Sequence, residues 1–245
     1  MSSRTGRKKT PRKKRAYLMK NKTLYIIHGW TYSVEPWETT LKILKKNNVD
    51  VKMLRVPGLT EKSSRVWTID EYATWADEQI PDGGVALGHS NGGRILLNLC
   101  SKNPQKLSSL ILLDSAGVYE KSRKRDILRI VSKLGAPLKR IPGFEKVFHK
   151  LIGASDYDRA PKNMKKTLSN MLDSDKNLKI EDVTTKTAIL WGENDTVTPP
   201  RQARILNQKL PNSSLKFFKN WTHAPYISDP EGLAEAIIKT LKEID

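Results

Sequence analysis

From Leu24 onward, this 245-residue chain alternates short, unbroken apolar runs with longer amphipathic stretches. Leu24-Tyr25-Ile26-Ile27, Val85-Ala86-Leu87 and Ala188-Ile189-Leu190-Trp191 are apolar at consecutive positions rather than alternate ones. That is the pattern of strands covered on both faces. The runs predict strands at 24–28, 50–56, 85–89, 109–114, 187–191 and 214–218. Helices are expected near 36–47, 69–80, 91–103, 200–209 and 230–243, and Pro81, Pro104 and Pro211 stand where helices should have ended. Strands separated by single helices imply an α/β fold, a mostly parallel sheet flanked by helices. The length suits one such core with an insertion.

The strand at 85–89 runs directly into Gly88-His89-Ser90-Asn91-Gly92, and the apolar segment Ile95-Leu96-Leu97 after it reads as a helix. A Gly-x-Ser-x-Gly sequence between a strand and a helix holds its serine at a strained corner, hydroxyl outward, because the flanking glycines let strand and helix pack closely. A serine hydroxyl is a weak nucleophile at neutral pH and needs a base within reach. His223, in the loop after the strand at 214–218, has the imidazole for that work. Asp195, in the loop leaving the strand at 187–191, would fix its tautomer and stabilise the imidazolium. Glu193 and Asp114 are rivals for the acid. Asp195 is preferred because it leads into Thr196-Val197-Thr198-Pro199, the turn that opens the next helix. His89 and His28 are expected to be structural, the first packing within the elbow and the second holding its own loop.

The order Ser, Asp, His, each just past a strand end, resembles the α/β-hydrolase superfamily over residues 23 to 245. His28-Gly29-Trp30 and His223-Ala224-Pro225-Tyr226-Ile227-Ser228-Asp229-Pro230 look most like its pimeloyl-acyl-carrier-protein methyl ester carboxylesterase branch. The resemblance implies an oxyanion hole from the backbone N–H groups of Trp30 and Asn91. It also implies that the non-alternating segment 119–186, with helical patterns broken at Pro137, Pro142 and Pro161, is a helical lid over the site. Two buried faces are expected within it, one around Ile127, Ile130 and Leu134 and one around Phe144, Phe148 and Leu151. Two features depart from the branch. Little but the very basic residues 1–22 precedes the strand at 24, so the sheet is expected to lack an antiparallel edge pair. The elbow also carries His89 before the serine and Asn91 after it, where the branch favours an aromatic and an apolar residue.

Charge divides the chain the same way. The net charge is +18, of which residues 1–22 contribute +10 and residues 119–186 contribute +8. The core, 23–118 with 187–245, is neutral. The tail, containing Arg12-Lys13-Lys14-Arg15, is too polar to pack, and without an apolar stretch after the charges it does not read as a signal peptide. It suits weak, salt-sensitive contact with an anionic polymer or lipid. The basic insertion, with Arg123-Lys124-Arg125, would attract an anionic ester or an acidic carrier protein presenting an acyl chain. It argues against an aminopeptidase, which would want acidic groups to hold a substrate ammonium.

The lone cysteine, Cys100, has no internal disulfide partner and fits a reducing cytoplasm. No apolar run approaches transmembrane length, no Cys/His cluster has metal-ligand spacing, and no glycine loop resembles a phosphate cradle, so no cofactor or metal is implied. A serine at the elbow sets aside relatives that use a carboxylate there. The expectation is a cytoplasmic serine hydrolase cleaving carboxylic esters through an acyl-enzyme. The alternatives are a lactonase, an acyl-carrier thioesterase, or a non-catalytic receptor or scaffold on the same fold.

Overall fold

The computed structural model describes residues 23–119 and 160–244. The basic tail and the two apolar faces expected between 127 and 151 lie outside the described residues. Six strands form one sheet: β1 (Leu24–Ile27), β2 (Val51–Met53), β3 (Gly84–His89), β4 (Leu107–Leu113), β5 (Lys186–Gly192) and β6 (Ser213–Phe218). Their spatial order is β2-β1-β3-β4-β5-β6 and every pairing is parallel. Each expected strand is present; that at 50–56 is shorter, because the chain leaves the sheet after Met53.

Helices α1 (Glu38–Lys46), α2 (Ile69–Gln79), α3 (Asn91–Lys102), α4 (Lys162–Ser174), α5 (Pro200–Lys209), α6 (Pro225–Ser228) and α7 (Pro230–Ile244) complete the described elements, with 3-10 turns at Glu35–Trp37 and Ile180–Asp182. Local chemistry starts and stops them. Thr68 caps α2 with a reciprocal box, its hydroxyl accepting from the Glu71 N–H while the Glu71 carboxylate accepts from the Thr68 N–H. Pro161 immediately precedes α4, and Pro200 opens α5.

Consecutive apolar positions on the strands supply two cores. Leu24, Ile26, Ile111, Leu113, Ala188 and Leu190 face α1 and α7. Ile27, Leu110, Leu112, Ile189 and Trp191 face the side covered by α2, α3, α4 and α5. The unbroken runs in the sequence follow from this two-sided burial.

The strand order reverses between β1 and β3: the chain goes from β1 outward to β2, then returns across β1 to β3. Open α/β sheets offer a crevice at such a reversal, at the carboxyl ends of the strands. The loop after β1 and the corner after β3 meet there. α4 closes the same side. It buries Met164, Leu168 and Met171, and is tied to the segment before α2 by side-chain bonds: the Thr167 hydroxyl accepts from the Trp67 N–H (2.9 Å), the Asn170 amide donates to the Trp67 carbonyl (3.2 Å), and the Asn163 amide donates to the carbonyls of Ser63 and Arg65.

Candidate active site

The corner after β3 is built by close packing. Ser90 sits at φ 51° and ψ −118°, a left-handed conformation that costs a non-glycine residue about 1–3 kcal/mol and persists only where its surroundings enforce it. Enforcement is visible on both sides. The Ser90 N–H donates to the Leu113 carbonyl at the end of β4, and its own carbonyl accepts from the N–H groups of Gly93 and Ala116. Packing tolerates no side chain behind it. A Cβ on Gly93 would lie 2.0 Å from Ser115 Oγ, and one on Gly92 would lie 2.0 Å from the Ile27 carbonyl oxygen at the end of β1.

Ser90, His223 and Asp195 form one hydrogen-bonded file. His223 Nε2 is 3.0 Å from Ser90 Oγ, and His223 Nδ1 is 2.8 Å from Asp195 Oδ2. The Asp195 side chain is fully enclosed, whereas that of His223 is 19% exposed. Burial alone would raise the Asp195 carboxyl. The bond from His223, its positive charge when protonated, and donors from Thr198 and Val197 together hold it below the usual range. Those donors are the N–H groups of Val197 (2.7 Å) and Thr198 (2.9 Å) on Oδ1 and the Thr198 hydroxyl (2.6 Å) on Oδ2. The Thr196–Pro199 turn is therefore a cradle for this carboxylate. Such a file can carry a proton from a hydroxyl to an imidazole while a fixed anion stabilises the product.

Of the rivals for the acid, Glu193 makes no contact with His223 in this arrangement. Asp114 follows the end of β4, fully buried, with its Oδ1 accepting from the Gly192 N–H at 2.8 Å, and makes no bond to His223 among the described hydrogen bonds.

The other two described histidines, His28 and His89, are structural. His28 Nδ1–H donates to the Gly29 carbonyl (2.7 Å), and its Nε2 accepts from the Thr60 hydroxyl (2.8 Å), which itself accepts from the Val56 N–H. Burial lowers the His28 pKa to about 4, so the ring stays neutral and holds its loop to the segment beyond β2. His89 Nε2–H donates to the backbone carbonyl of His223 (2.7 Å), tying the residue before the serine to the loop that carries the base. Its ring packs against Trp37, Tyr226 and His223. Burial, then the neighbouring His223 charge, lowers its pKa to about 3.

The loop after β1 reaches the elbow itself: a Cβ on Gly29 would lie 3.0 Å from Ser90 Cβ. Trp30, next along, is buried beside the serine corner, and Asn91 is the first residue of α3. The side chain of Asn91 is gripped by Arg94, whose Nη1 donates to its Oδ1. The same guanidinium forks onto Asp175 through Nε (2.7 Å) and Nη2 (2.9 Å), with both partners buried. This pair links the elbow helix to the end of α4. Reading the sequence missed it, since Arg94 and Asp175 are 81 positions apart and neither stands in a motif.

Among the described residues, no group of three His, Cys, Asp or Glu side chains is arranged to hold a metal ion, and no helix is long and apolar enough to cross a membrane. Cys100 is buried, its thiol pushed up to about 11 by desolvation.

Comparison with known proteins agrees with this fold. The profile described as the alpha/beta hydrolase family matches residues 24–236. Over 245 aligned residues the chain is 22% identical to the pimeloyl-[acyl-carrier protein] methyl ester esterase of Aromatoleum aromaticum, covering 89% of this chain and 98% of that one. The Proteus mirabilis protein of the same name is 23% identical, covering 88% and 91%. Among solved structures, a hydrolase from Oleispira antarctica superposes with a TM-score of 0.70 at 17% identity, covering 92% of each chain. A thermophilic esterase from Thermogutta terrifontis does so at 0.66 and 20% identity, covering 91% and 90%. At such identities the structural likeness speaks for the fold.

Proposed function

The chain belongs to the alpha/beta hydrolase family, and from that premise we propose that it is a serine esterase that cleaves carboxylic esters through an acyl-enzyme. The observation that carries the reading is the continuous file from Ser90 Oγ through both nitrogens of His223 to Asp195 Oδ2. A receptor or scaffold on this fold has no need to align these three groups.

Ser90 Oγ attacks the ester carbonyl carbon as His223 Nε2 takes the hydroxyl proton. The tetrahedral oxyanion is held by the N–H groups of Trp30 and Asn91. Collapse breaks the bond to the alkoxide, which leaves with the proton from His223. Water, deprotonated by the same imidazole, then attacks the acyl-serine and releases the acid. Asp195 stays ionised throughout and holds the imidazole in the tautomer with Nδ1–H.

For the substrate, we propose an acyl ester that is anionic or is presented by an acidic carrier protein. Two observations support this: the +8 of residues 119–186 beside a neutral core, and the names of the curated relatives. Fluorophosphonate labelling of wild type and Ser90→Ala is the test. The wild type should label, and the variant should not, losing roughly 10⁴-fold or more in esterase kcat with its fold intact. Unchanged labelling in the variant removes Ser90 from the mechanism.

A series of p-nitrophenyl esters, thioesters and lactones locates the preferred bond, and fastest turnover of thioester or lactone replaces the ester reading. Raising salt from 0.1 M to 1 M shortens the Debye length from about 10 Å to about 3 Å. It should depress kcat/KM for a carrier-bound ester much more than for a neutral one. Equal salt slopes would remove the carrier.

A further inference from the structure

Asp114 stands at the end of β4 in a left-handed conformation (φ 43°), completely buried, and has no place in the proton path from Ser90 to Asp195. Its Oδ1 accepts from the Gly192 N–H at 2.8 Å, and its backbone carbonyl lies 3.0 Å from the Thr198 hydroxyl. Its second oxygen, Oδ2, is enclosed and meets no N–H or O–H donor among the described residues. The Asp195 carboxyl is its charged neighbour: the Thr198 hydroxyl that lies against the Asp114 carbonyl is 2.6 Å from Asp195 Oδ2, and Gly192, which donates to Asp114 Oδ1, accepts from the Asp195 N–H. A buried oxygen facing only another acceptor is unsatisfied by about 1–3 kcal/mol, and two ionised carboxylates side by side out of water repel strongly.

A single proton between them removes both costs, and the remaining contacts say which carboxyl takes it. Asp195 already receives two backbone N–H groups, one hydroxyl and the His223 imidazole, all of which favour its ionised form. Asp114 receives one backbone N–H. From this geometry we infer that Asp114 is a neutral carboxylic acid that donates its proton in a hydrogen bond to the Asp195 carboxylate, and so positions the acid behind His223. Burial and the Asp195 charge both push the Asp114 carboxyl well above the usual range, against the Gly192 bond. The titratable groups facing it are Asp195 directly and His223 beyond that carboxylate.

The device deepens the esterase reading. The donated bond helps to orient Asp195 and tempers its basicity, so that the imidazole keeps its Nδ1 proton without being trapped as imidazolium. A neutral donor, not a second charge, is what the site requires at β4.

Two measurements test this, the first independent of any activity. Infrared difference spectra at neutral pH between wild type and Asp114→Asn should show the carbonyl stretch of one protonated carboxylic acid in the wild type and none in the variant. Absence of that band in the wild type, or its persistence in Asp114→Asn, overturns the assignment.

The second measurement rests on the esterase reading and follows kcat/KM against pH. Asp114→Asn replaces O–H with N–H as donor. It should retain kcat/KM within about threefold, with its acid limb unmoved. Asp114→Ala should lose tenfold or more and shift the acid limb to higher pH, because an untempered Asp195 holds the proton on the imidazole more strongly. A shift to lower pH in Asp114→Asn would mean that a negative charge had been removed, and would overturn the proposal. If Asp114→Ala does not fold, the infrared band and the Asp114→Asn profile still decide.

Discussion

The corners at the ends of β3 and β5 are joined through His223, yet they are built on opposite principles. At β3 the position of Ser90 is enforced by exclusion: glycines at 92 and 93 leave no room for a Cβ, and backbone bonds pin a strained residue. At β5 the position of Asp195 is enforced by attraction, with Val197, Thr198 and His223 all directed at one carboxyl. A steric corner responds to volume and hardly to pH. An electrostatic corner responds to charge and to the loss of single donors, and hardly to volume.

The largest expected effect comes from breaking the electrostatic corner without changing its size. Asp195→Asn keeps the shape, but its amide would face the imidazole with a donor. It should lower kcat on the order of 10³–10⁴, or about 4–5.5 kcal/mol of transition-state stabilisation, by analogy with other triads. Its unfolding midpoint should move little. A loss below tenfold would reassign the acid.

Next in size is the reverse experiment, a change of volume with no change of charge. In Gly93→Ala the added methyl meets Ser115 Oγ and Cβ at 2.0 and 2.7 Å, so α3 must shift away from β4. The expected cost is about 2–3 kcal/mol in urea unfolding, with activity lost through displacement of Ser90. A variant as stable and active as wild type would show that the corner is looser than its contacts imply.

The smallest effect is on pH-dependent stability, and its sign differs between groups. His28 and His89 are neutral in the fold, with pKa values lowered to about 4 and about 3. Each takes up a proton in the unfolded chain as pH falls through about 6.5. The unfolded state then binds more protons, so their contribution is fully present above pH 6.5. Below it, each histidine removes up to about 1.4 kcal/mol per pH unit. Asp114 acts oppositely: its raised pKa means that the fold keeps a proton which the unfolded chain releases, so its contribution is lost as pH rises. Urea midpoints should therefore change little between pH 7 and 6, where the two effects oppose, and fall between pH 6 and 5, more steeply in Asp114→Asn and less steeply in His89→Phe. A flat wild-type series would remove the neutral histidines from the account.

The same contrast explains what the sequence made legible. The steric corner is local, so Gly88-His89-Ser90-Asn91-Gly92 announced it, and the strands on both sides could be drawn because burial on two faces leaves unbroken apolar runs. Ser90, His223 and Asp195 were legible through their places after strands. The cradle was half legible: the Thr196–Pro199 turn pointed to Asp195, but nothing in the string says that the Thr198 hydroxyl would bond it. Arg94 and Asp175 were invisible for the same reason. A charge network is assembled by the sheet and belongs to no segment.

That buried fork has a practical meaning for anyone who would refit this protein to a new substrate. Arg94 fastens the end of α4 to the helix carrying Asn91, and Trp67 fastens its middle through Thr167 and Asn170. Grafts that replace everything between β4 and β5 would tear out these rivets along with the insertion. The usable seams lie inward, near residues 119 and 160. A foreign cap joined there inherits a foundation already bolted to the helix that begins beside Ser90.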